Sequence, residues 1–383
     1  MVVAFMVPGM NCARRQAMLR VYATIRAAAT RRSPGAGSDF TGINRMNGMQ
    51  RICSLLPSGT EILFALGLGE RIIGVTDLCD YPPAAAGIRV VCRSRIDPAV
   101  MSSEEVEAEM SRILSAGESP YELDVEWLME ASPDVVLTQD LCYFCEVDAG
   151  TVHRAVEPIP MPPKVLTLNP RTLDEILGSF LEVGEACGTS EAATKLLAGL
   201  AERVAAVAKK IDAVERRPRV FSLEGVNPLV IGGHWVTDLV ARAGGVLPPR
   251  FTAGCPAERI EWCEVVSAEP EKLYIDLCSS DLARSVREIP WLAAQPGWNE
   301  LPAVQSGEVY LIDHSTLSRP GPRVVDGLEL LAELTHPELF SGHILPDAVL
   351  KLDAGCAAGL PAERIGEAFG AWPVFGNSDI GRV

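Results

Sequence analysis

The strongest constraint on the fold is an internal repeat, in which two stretches of the chain share one pattern. The first starts at Arg51 and reads Arg-Ile-Cys-Ser-Leu-Leu-Pro-Ser-Gly-Thr-Glu, and the second starts at Arg219 and reads Arg-Val-Phe-Ser-Leu-Glu-Gly. Each stretch is followed by a helical pattern containing a Trp, then by a proline and another apolar strand. This repeat predicts two similar α/β lobes with a cleft between them, and clefts between domains commonly bind small molecules.

The order of elements predicts parallel sheets. Predicted strands of the first half occupy residues 52–56, 71–75, 135–137 and 165–168. They alternate with amphipathic helical patterns, and this alternation is typical of parallel strands joined by right-handed crossovers. The first helix is predicted to begin at Ser58, because Ser58-Gly-Thr-Glu61 has the Ser-x-x-Glu form of a capping box.

The two halves are joined by a region that is predicted to be helical. Apolar residues recur at helical spacing from Thr172 to Glu215, with a break near Gly188. The pattern predicts one helix and then a long helix of about 25 residues that ends before Pro218. A long helix with little glycine is a stiff connector. The predicted fold class is therefore α/β, with two similar α/β lobes with parallel sheets joined by one long rigid α-helix.

Five parts of the chain are predicted. They are a transit-like or non-native extension at 1–49, a first lobe at 50–170, connecting helices at 171–217, a second lobe at 218–340 and a tail at 341–383. The extension is rich in arginine and resembles an organelle transit peptide, while Met46 and Met49 offer alternative starts. The tail is rich in Ala, Gly and Pro, and no role in the core is predicted for it.

Charge and cysteine usage exclude several classes. The chain carries a formal charge of −16, which argues against nucleic acid as a partner. It has no apolar run of about eighteen residues, so no membrane insertion is expected. The 11 cysteines lack framework spacing, and the lone pair Cys142 and Cys145 is interpreted as local loop chemistry. Reduced cysteines and the lack of a recognisable export signal predict a cytoplasmic location, or an organellar one if residues 1–49 are a transit peptide.

Several short segments occur in an order and spacing that together indicate one fold more specifically than any single segment does. They are Ser54-Leu-Leu-Pro-Ser-Gly-Thr-Glu61, Gly74-Val-Thr, Asp80-Tyr-Pro-Pro83, Ser132-Pro-Asp-Val-Val136, residues 225–233 and Arg319-Pro-Gly-Pro-Arg323. Over residues 51–340 the chain resembles the cobalamin and iron-siderophore substrate-binding proteins of ABC importers, the BtuF-like group with the class III periplasmic-binding-protein fold. The resemblance implies two lobes bridged by a long helix, small opening motions and a small-molecule ligand.

The resemblance also bears on partners. In the transport members of this family, one surface Glu on each lobe docks onto the membrane permease. The first position falls at Glu126, and the second falls at Cys263, with Glu261 and Glu264 beside it. Because the second position is not acidic and no export signal is recognised, a permease partner is doubtful. The chain is expected to be a non-exported branch of the family.

Ligands of parallel sheets bind at the carboxyl ends of the strands. The candidate ligand-binding residues are therefore Pro57, Ser58, Asp80, Tyr81, Gln139, Tyr143, Glu224, Gly233, His234, Trp235, Ser279 and Arg319. Aromatic rings among them suit stacking on a flat macrocycle, and the helix start at Ser58 offers free N–H groups. His234 and His314 are either axial ligands of a bound metal or hydrogen-bonded within their loops. Trp235 is either a ligand platform or part of the core.

The function predicted from these features is non-enzymatic. The cleft is expected to hold a corrinoid, cobalamin-like ligand, or alternatively a ferric chelate or haem. A further alternative is an intracellular enzyme or scaffold built on the same fold. No catalytic residue, protein-bound metal or covalent cofactor is predicted, because GxSxG, Walker, HExxH and paired CxxC motifs are absent.

Overall fold

The computed structural model describes residues 50–141, 147–345 and 347–372. The strands of the first lobe are β1 (Ile52–Ser54), β2 (Ile72–Thr76), β3 (Val90–Ser94), β4 (Tyr121–Leu123), β5 (Val135–Thr138) and β6 (Lys164–Thr167). Its helices are α1 (Pro57–Ala65), α2 (Ser103–Ser115), α3 (Val125–Ala131) and α4 (Ala149–Val156). The sheet order is β4-β3-β2-β1-β5-β6, and every pair is parallel except β3 with β4.

The central strands of this sheet are buried on both faces. In β1, Ile52 belongs to the core that includes α1, whereas Cys53 belongs to the apolar cluster on the opposite face. In β5, Leu137 and Val136 divide between the two faces in the same way. Successive side chains of a strand point to opposite faces. Continuous apolar runs of this kind are therefore what a parallel sheet covered on both sides requires.

Two helices connect the lobes, as predicted. They are α5 (Leu173–Ala186) and α6 (Ser190–Ile211), and α6 has 22 residues. The buried face of α6 carries Leu197, Val204 and Ile211. The guanidinium of Arg203, on the same helix, donates hydrogen bonds to the carboxylates of Glu329 and Asp326 in the second half of the chain. At about 1.5 Å per residue the helix spans roughly 33 Å.

The second lobe repeats the plan of the first. Its strands are β7 (Val220–Val226), β8 (Leu229–Ile231), β9 (Lys272–Ile275), β10 (Val309–Ile312), β11 (Val349–Leu352) and β12 (Phe369–Ala371). Its helices are α7 (Trp235–Arg242), α8 (Trp262–Ser267), α9 (Leu282–Ala293), α10 (Pro302–Gln305), α11 (His314–Leu317), α12 (Val324–Thr335) and α13 (Ala354–Ala357). The order is β12-β11-β10-β9-β7-β8, with β7, β9 and β10 parallel and the outer strands antiparallel. The predicted fold class is confirmed.

The tail is part of the second sheet, so the prediction that it has no role in the core is wrong. Strand β11 pairs with β10, and its Val349 lies opposite Ile312. Both Val349 and Leu352 are buried. The two tail strands have only four and three residues, and runs this short give little periodic signal among Ala, Gly and Pro.

The predicted capping box at Ser58 is also wrong. Helix α1 begins one residue earlier, at Pro57, and its N-cap residue Leu56 makes no side-chain capping bond. Proline suits the first helical position because the N–H that it lacks has no partner there. Glu61, which was predicted to complete the box, instead accepts hydrogen bonds from Arg323 of the second lobe. A capping box does form at α2, between Ser102 and Glu105.

None of the helices within these described ranges combines the length and hydropathy needed to cross a bilayer.

We expect the tail strands to contribute to stability. Leu352 is 2% exposed, whereas Leu345, a few residues earlier, is 66% exposed. Replacing Leu352 by Ala should lower the free energy of unfolding by about 2–5 kcal/mol, because it removes buried methyl groups and leaves a cavity. Urea unfolding measures the change. The matched control is Leu345→Ala, and equal stability of the two variants would contradict a core role for β11.

Candidate functional site

The carboxyl ends of the two sheets meet across the cleft, where a buried ion pair joins the lobes. Arg323, after β10, donates two hydrogen bonds to Glu61, after β1: Nε to Oε2 at 3.0 Å and Nη2 to Oε1 at 2.6 Å. The Glu61 side chain is 2% exposed. A two-pronged guanidinium–carboxylate contact is directional as well as strong. It therefore fixes the lobes against each other at this edge of the cleft.

Two predicted ligand-binding residues, Asp80 and Arg319, bind each other across the same edge. Arg319 donates to both carboxylate oxygens of Asp80, with Nη2 at 3.0 Å from Oδ2, and to the carbonyl of Leu78 at 3.4 Å. Exclusion of water raises the pKa of Asp80, but the hydrogen bond and charge of Arg319 outweigh it and lower that pKa.

The first turn of α1 is covered by the loop that carries these arginines. Pro57 and Ser58 are buried. A Cβ atom at Gly321 would lie 3.3 Å from Glu61 Oε2 and 3.5 Å from the Ser58 carbonyl oxygen. At the outer side, the Arg323 guanidinium lies 4.1 Å from the ring centroid of Tyr81, which is 43% exposed. Tyr81 is thus an accessible aromatic surface at the cleft edge.

A second group of predicted residues lies at the start of α7. The Gly233 N–H donates to Glu224 Oε2 at 3.3 Å, and the His234 N–H donates to the Cys255 carbonyl. A Cβ atom at Gly233 would stand 2.1 Å from the Ala257 nitrogen, so only glycine fits beneath this loop. Burial, together with the charge of Arg171, lowers the pKa of His234. Its imidazole is therefore neutral at pH 7.

Trp235 faces inward. It is buried in the main core, and its indole Nε1 donates to the Leu317 carbonyl oxygen at 2.7 Å. Buried indole nitrogens usually find such a partner. From this placement we expect Trp235 to contribute to the stability of the second lobe. A ligand contact by the same ring stays a prediction.

Asp276 is a candidate residue that sequence reasoning missed. It directly follows β9 and is fully buried, and burial raises its pKa more than His314 and Ser318 lower it. Ser318 Oγ donates to Asp276 Oδ2 at 2.7 Å, whereas His314 Nδ1 lies 3.7 Å from Oδ1, beyond a hydrogen bond. The available signal was an Asp at the carboxyl end of the short strand Lys272–Ile275.

The remaining predicted ligand residues are dispersed. Gln139 is buried just after β5, and Ser279 has a left-handed backbone, with φ +54°, after β9. Tyr143 lies outside the described residues, as do Cys142 and Cys145. Among the residues that are described, no group of three or more His, Cys, Asp or Glu is placed to hold a metal ion.

Two cavities on the described surface lie away from the interlobe residues. One of about 170 Å³ is beside α6 and is lined by Val204, Ile211 and Leu328 among others. The other, about 460 Å³, is shallow and lies beside α4, at His153 and Pro162. Neither includes a predicted ligand residue, so the strand ends remain the candidate site on chemical grounds.

The three acidic residues predicted for docking differ in their surroundings. Glu126 is exposed on α3, and Glu261 is exposed at the start of α8. Glu264 forms an ion pair with Arg250 and accepts a hydrogen bond from the Glu261 N–H at 3.1 Å. The Arg250 hydrogen bond lowers the pKa of Glu264. Glu261 is thus better exposed for a partner than Glu264.

Two α/β lobes, a rigid helical connector and polar loops that meet at the carboxyl ends of both sheets define a bilobal ligand-binding protein. Comparison with known proteins identifies the family. The chain belongs to the periplasmic binding protein family, whose model matches residues 52–316.

Two relatives extend over most of the chain. The uncharacterized ABC transporter substrate-binding lipoprotein YvrC of Bacillus subtilis is 25% identical over 297 residues, covering 76% of this chain and 81% of that protein. The vitamin B12-binding protein of Vibrio cholerae is 23% identical over 284 residues, covering 73% and 87%. Both relatives are named as binding proteins.

Solved structures agree on the fold. The periplasmic vitamin B12 binding protein BtuF of Vibrio cholerae superposes with a TM-score of 0.55 at 20% identity, covering 75% of this chain and 97% of that one. The periplasmic heme-binding protein RhuT of Roseiflexus gives 0.55 at 21% identity, with 76% and 99% covered. At this identity the likeness shows the fold alone.

These comparisons overturn one prediction and leave another without support. The predicted cytoplasmic or organellar location is wrong, because the relatives are a lipoprotein and periplasmic proteins. The doubt about a permease has no support, since the matching family includes ABC transporter substrate-binding proteins. Both expectations relied in part on the unrecognised export signal.

Removing one partner of the buried interlobe pair should destabilise the protein. Replacing Arg323 by Met removes both hydrogen bonds that its guanidinium donates to the Glu61 carboxylate and leaves only Arg319, whose Nη1 lies 3.6 Å from Glu61 Oε1. We expect a loss of about 1.5–3 kcal/mol in unfolding free energy, the range for hydrogen bonds to charged groups. Urea unfolding is the measurement. The control is Arg364→Met, which breaks an exposed pair with Glu367 and should leave stability near that of the unmodified protein. Equal effects would show that the interlobe pair is not structural.

The Asp80–Arg319 contact should make stability depend on pH. Since folding lowers the pKa of Asp80, its contribution is present above the unfolded pKa of about 4 and is lost as pH falls through the folded value. Asp80→Asn lacks this contribution, so it should lose less stability than the unmodified protein between about pH 7 and about pH 3. Asp212→Asn, at the exposed end of α6, is the control. Parallel acid profiles for Asp80→Asn and the unmodified protein would contradict the contact.

Proposed function

We propose that this chain is the substrate-binding protein of an ABC importer and that it carries a corrinoid between its lobes. The observation that carries the proposal is the meeting of polar and aromatic loops from both sheets at their carboxyl ends, where parallel α/β sheets bind ligands. The relatives named as vitamin B12-binding proteins, which align with nearly three quarters of the chain, supply the ligand class. On this proposal the chain works outside the cytoplasm, as its relatives do.

The chemistry of the cleft edge suits a corrinoid. This ligand is a flat macrocycle with amide side chains, which need both hydrogen-bond donors and acceptors. The edge offers donors on Arg319 and acceptors on Asp80, and the Tyr81 ring is exposed beside them. Aromatic rings stack on extended planar surfaces. Opening of the lobes would free the Arg319 and Asp80 groups from each other and present both to the ligand.

Haem is the second candidate, favoured by a separate observation. Because burial and Arg171 lower the pKa of His234, a neutral imidazole nitrogen is available at pH 7, which is the form that binds metals. RhuT, which has the same fold, is named as heme-binding. The carboxylates of a haem would form ion pairs with arginine, whereas the amide side chains of a corrinoid are uncharged and would form only hydrogen bonds.

The permease contact is proposed for one exposed acid on each lobe. Glu126 of the first lobe and Glu261 of the second lobe take these roles, because Glu264 is already held by Arg250. Exposed carboxylates on two rigidly connected lobes can pair with basic groups of a membrane partner at a fixed spacing.

Titration of the purified full chain tests the ligand class. Cyanocobalamin, haemin and a ferric catecholate chelate are each added while tryptophan fluorescence and heat are recorded. We expect saturable one-to-one binding of cyanocobalamin. Saturation by haemin alone would overturn the corrinoid assignment and retain the binding role. Absence of binding by all three would contradict both ligand classes.

A pair of variants localises the binding. Tyr81→Ala removes the exposed ring at the cleft edge, and its cyanocobalamin affinity should fall by about three- to tenfold, the range of one aromatic contact. Met161→Ala removes a similarly exposed apolar side chain, in the loop before β6 at the opposite edge of the sheet, and should bind as the unmodified protein does. Equal affinities would place the ligand away from Tyr81.

A further inference from the structure

Helix α2 of the first lobe reaches across to α9 of the second. We call residues 95–118, between β3 and β4, the α2 strap. The N–H of Ser103, the first residue of α2, donates to Glu288 Oε1 at 2.8 Å, and Arg284 Nη2 donates to Ser103 Oγ at 3.3 Å. The Arg284 and Glu288 residues are 4% and 9% exposed. Two buried residues of the other lobe therefore contact the first residue of α2.

This contact satisfies a requirement of the helix itself. The first N–H groups of a helix have no partner within the helix, and a carboxylate near them is stabilised by the helix dipole. Within the strap, the Ser102 side chain accepts a hydrogen bond from the N–H of Glu105. The N–H of Ser103 donates a hydrogen bond to the carboxylate of Glu288, which belongs to the second lobe. The two lobes thus share the capping of one helix.

Further polar contacts extend the attachment along the strap. Glu107 forms an ion pair with Arg259, and Glu104 Oε2 accepts a hydrogen bond from Asn227 Nδ2 at 3.2 Å. The Ala99 carbonyl accepts one from Arg287 Nη2 at 3.1 Å. The acidic side chains of α2 therefore meet basic and amide groups of the second lobe.

The strap has its own small apolar cluster, which is separate from both lobe cores. Ile96, Met110 and Ile113 form it. All of the contacts described above between the strap and the second lobe are hydrogen bonds or ion pairs, whose groups exchange for water at modest net cost. An attachment of this kind can release without unfolding either lobe.

We propose that the α2 strap is a latch that holds the two lobes closed, and that the cleft opens by release of α2 from α9. This inference goes beyond the proposed function, because it concerns how the lobes are held and not which ligand they hold. The residues and contacts of the latch are different from those of the Arg319–Asp80 edge. The lobes are therefore held by two separate sets of polar contacts. Loosening the strap should increase the fraction of time for which the cleft is open.

Hydrogen–deuterium exchange of the full chain tests the latch without any ligand. The double variant Glu104→Gln/Glu107→Gln removes two charges that cross to the second lobe. We expect amides of residues 282–293 to exchange about threefold faster, in keeping with the modest strength of exposed ion pairs. Residues 282–293 are the decisive readout, because a change there reports on the opposite lobe and not on the substituted helix.

The matched control is Glu109→Gln/Glu118→Gln. These carboxylates pair with Arg112 and Arg95 within the first lobe, so this variant changes the same charge on the same strap and should leave exchange at 282–293 unchanged. Equal exchange at 282–293 in the two double variants would overturn the latch.

A third variant addresses the buried part of the contact. Glu288→Gln keeps the shape of the side chain and removes its charge, and exchange of the peptide that contains Ser103 should rise by about tenfold, since charge-assisted hydrogen bonds are roughly twice as strong as neutral ones. Unchanged exchange there would also overturn the proposal. All of these readouts are independent of cyanocobalamin, so failure of the ligand assignment and failure of the latch are separately visible.

Discussion

The arrangement of the two lobes depends on one buried ion pair, between Glu61 and Arg323, which lie 262 residues apart in sequence. A carboxylate with 2% of its side chain exposed is tolerated only with a hydrogen-bonded cation. The need for that partner places the loop before α12 on the first turn of α1. The Arg319–Asp80 contact, the stacking of Arg323 on Tyr81 and the close approach at Gly321 all follow from this placement.

Behind this edge, the lobes share one continuous apolar core. The same cluster contains Leu63 of the first lobe, Leu197 of the connecting helix and Leu331 of the second lobe. Interiors of this kind are packed as densely as organic crystals and do not deform gradually. We therefore expect motion between the lobes to be small and to occur mainly at their polar contact surfaces.

Local patterns in the sequence were sufficient for β1, β2, β5 and β6 of the first lobe, the stiff connector and the duplicated plan, but β3 and β4 were not predicted. Long-range pairing was not accessible, because propensity and periodicity carry no information about partners such as Asp80 and Arg319, which are 239 residues apart. The Ser58–Glu61 pattern shows the conflict directly. Its local form favours a capping box, but the second lobe offers Glu61 a charged partner, and the charged contact prevails.

The separation of polar and apolar contacts has a thermal consequence. Unfolding has a large heat-capacity change because apolar surface becomes hydrated, whereas hydration of polar surface acts in the opposite direction. Opening of this cleft separates the α2 strap and the arginine–carboxylate edge while the shared apolar core stays intact. Opening of the proposed kind would therefore have a much smaller heat-capacity change than unfolding, and salt would favour it by screening the exposed ion pairs.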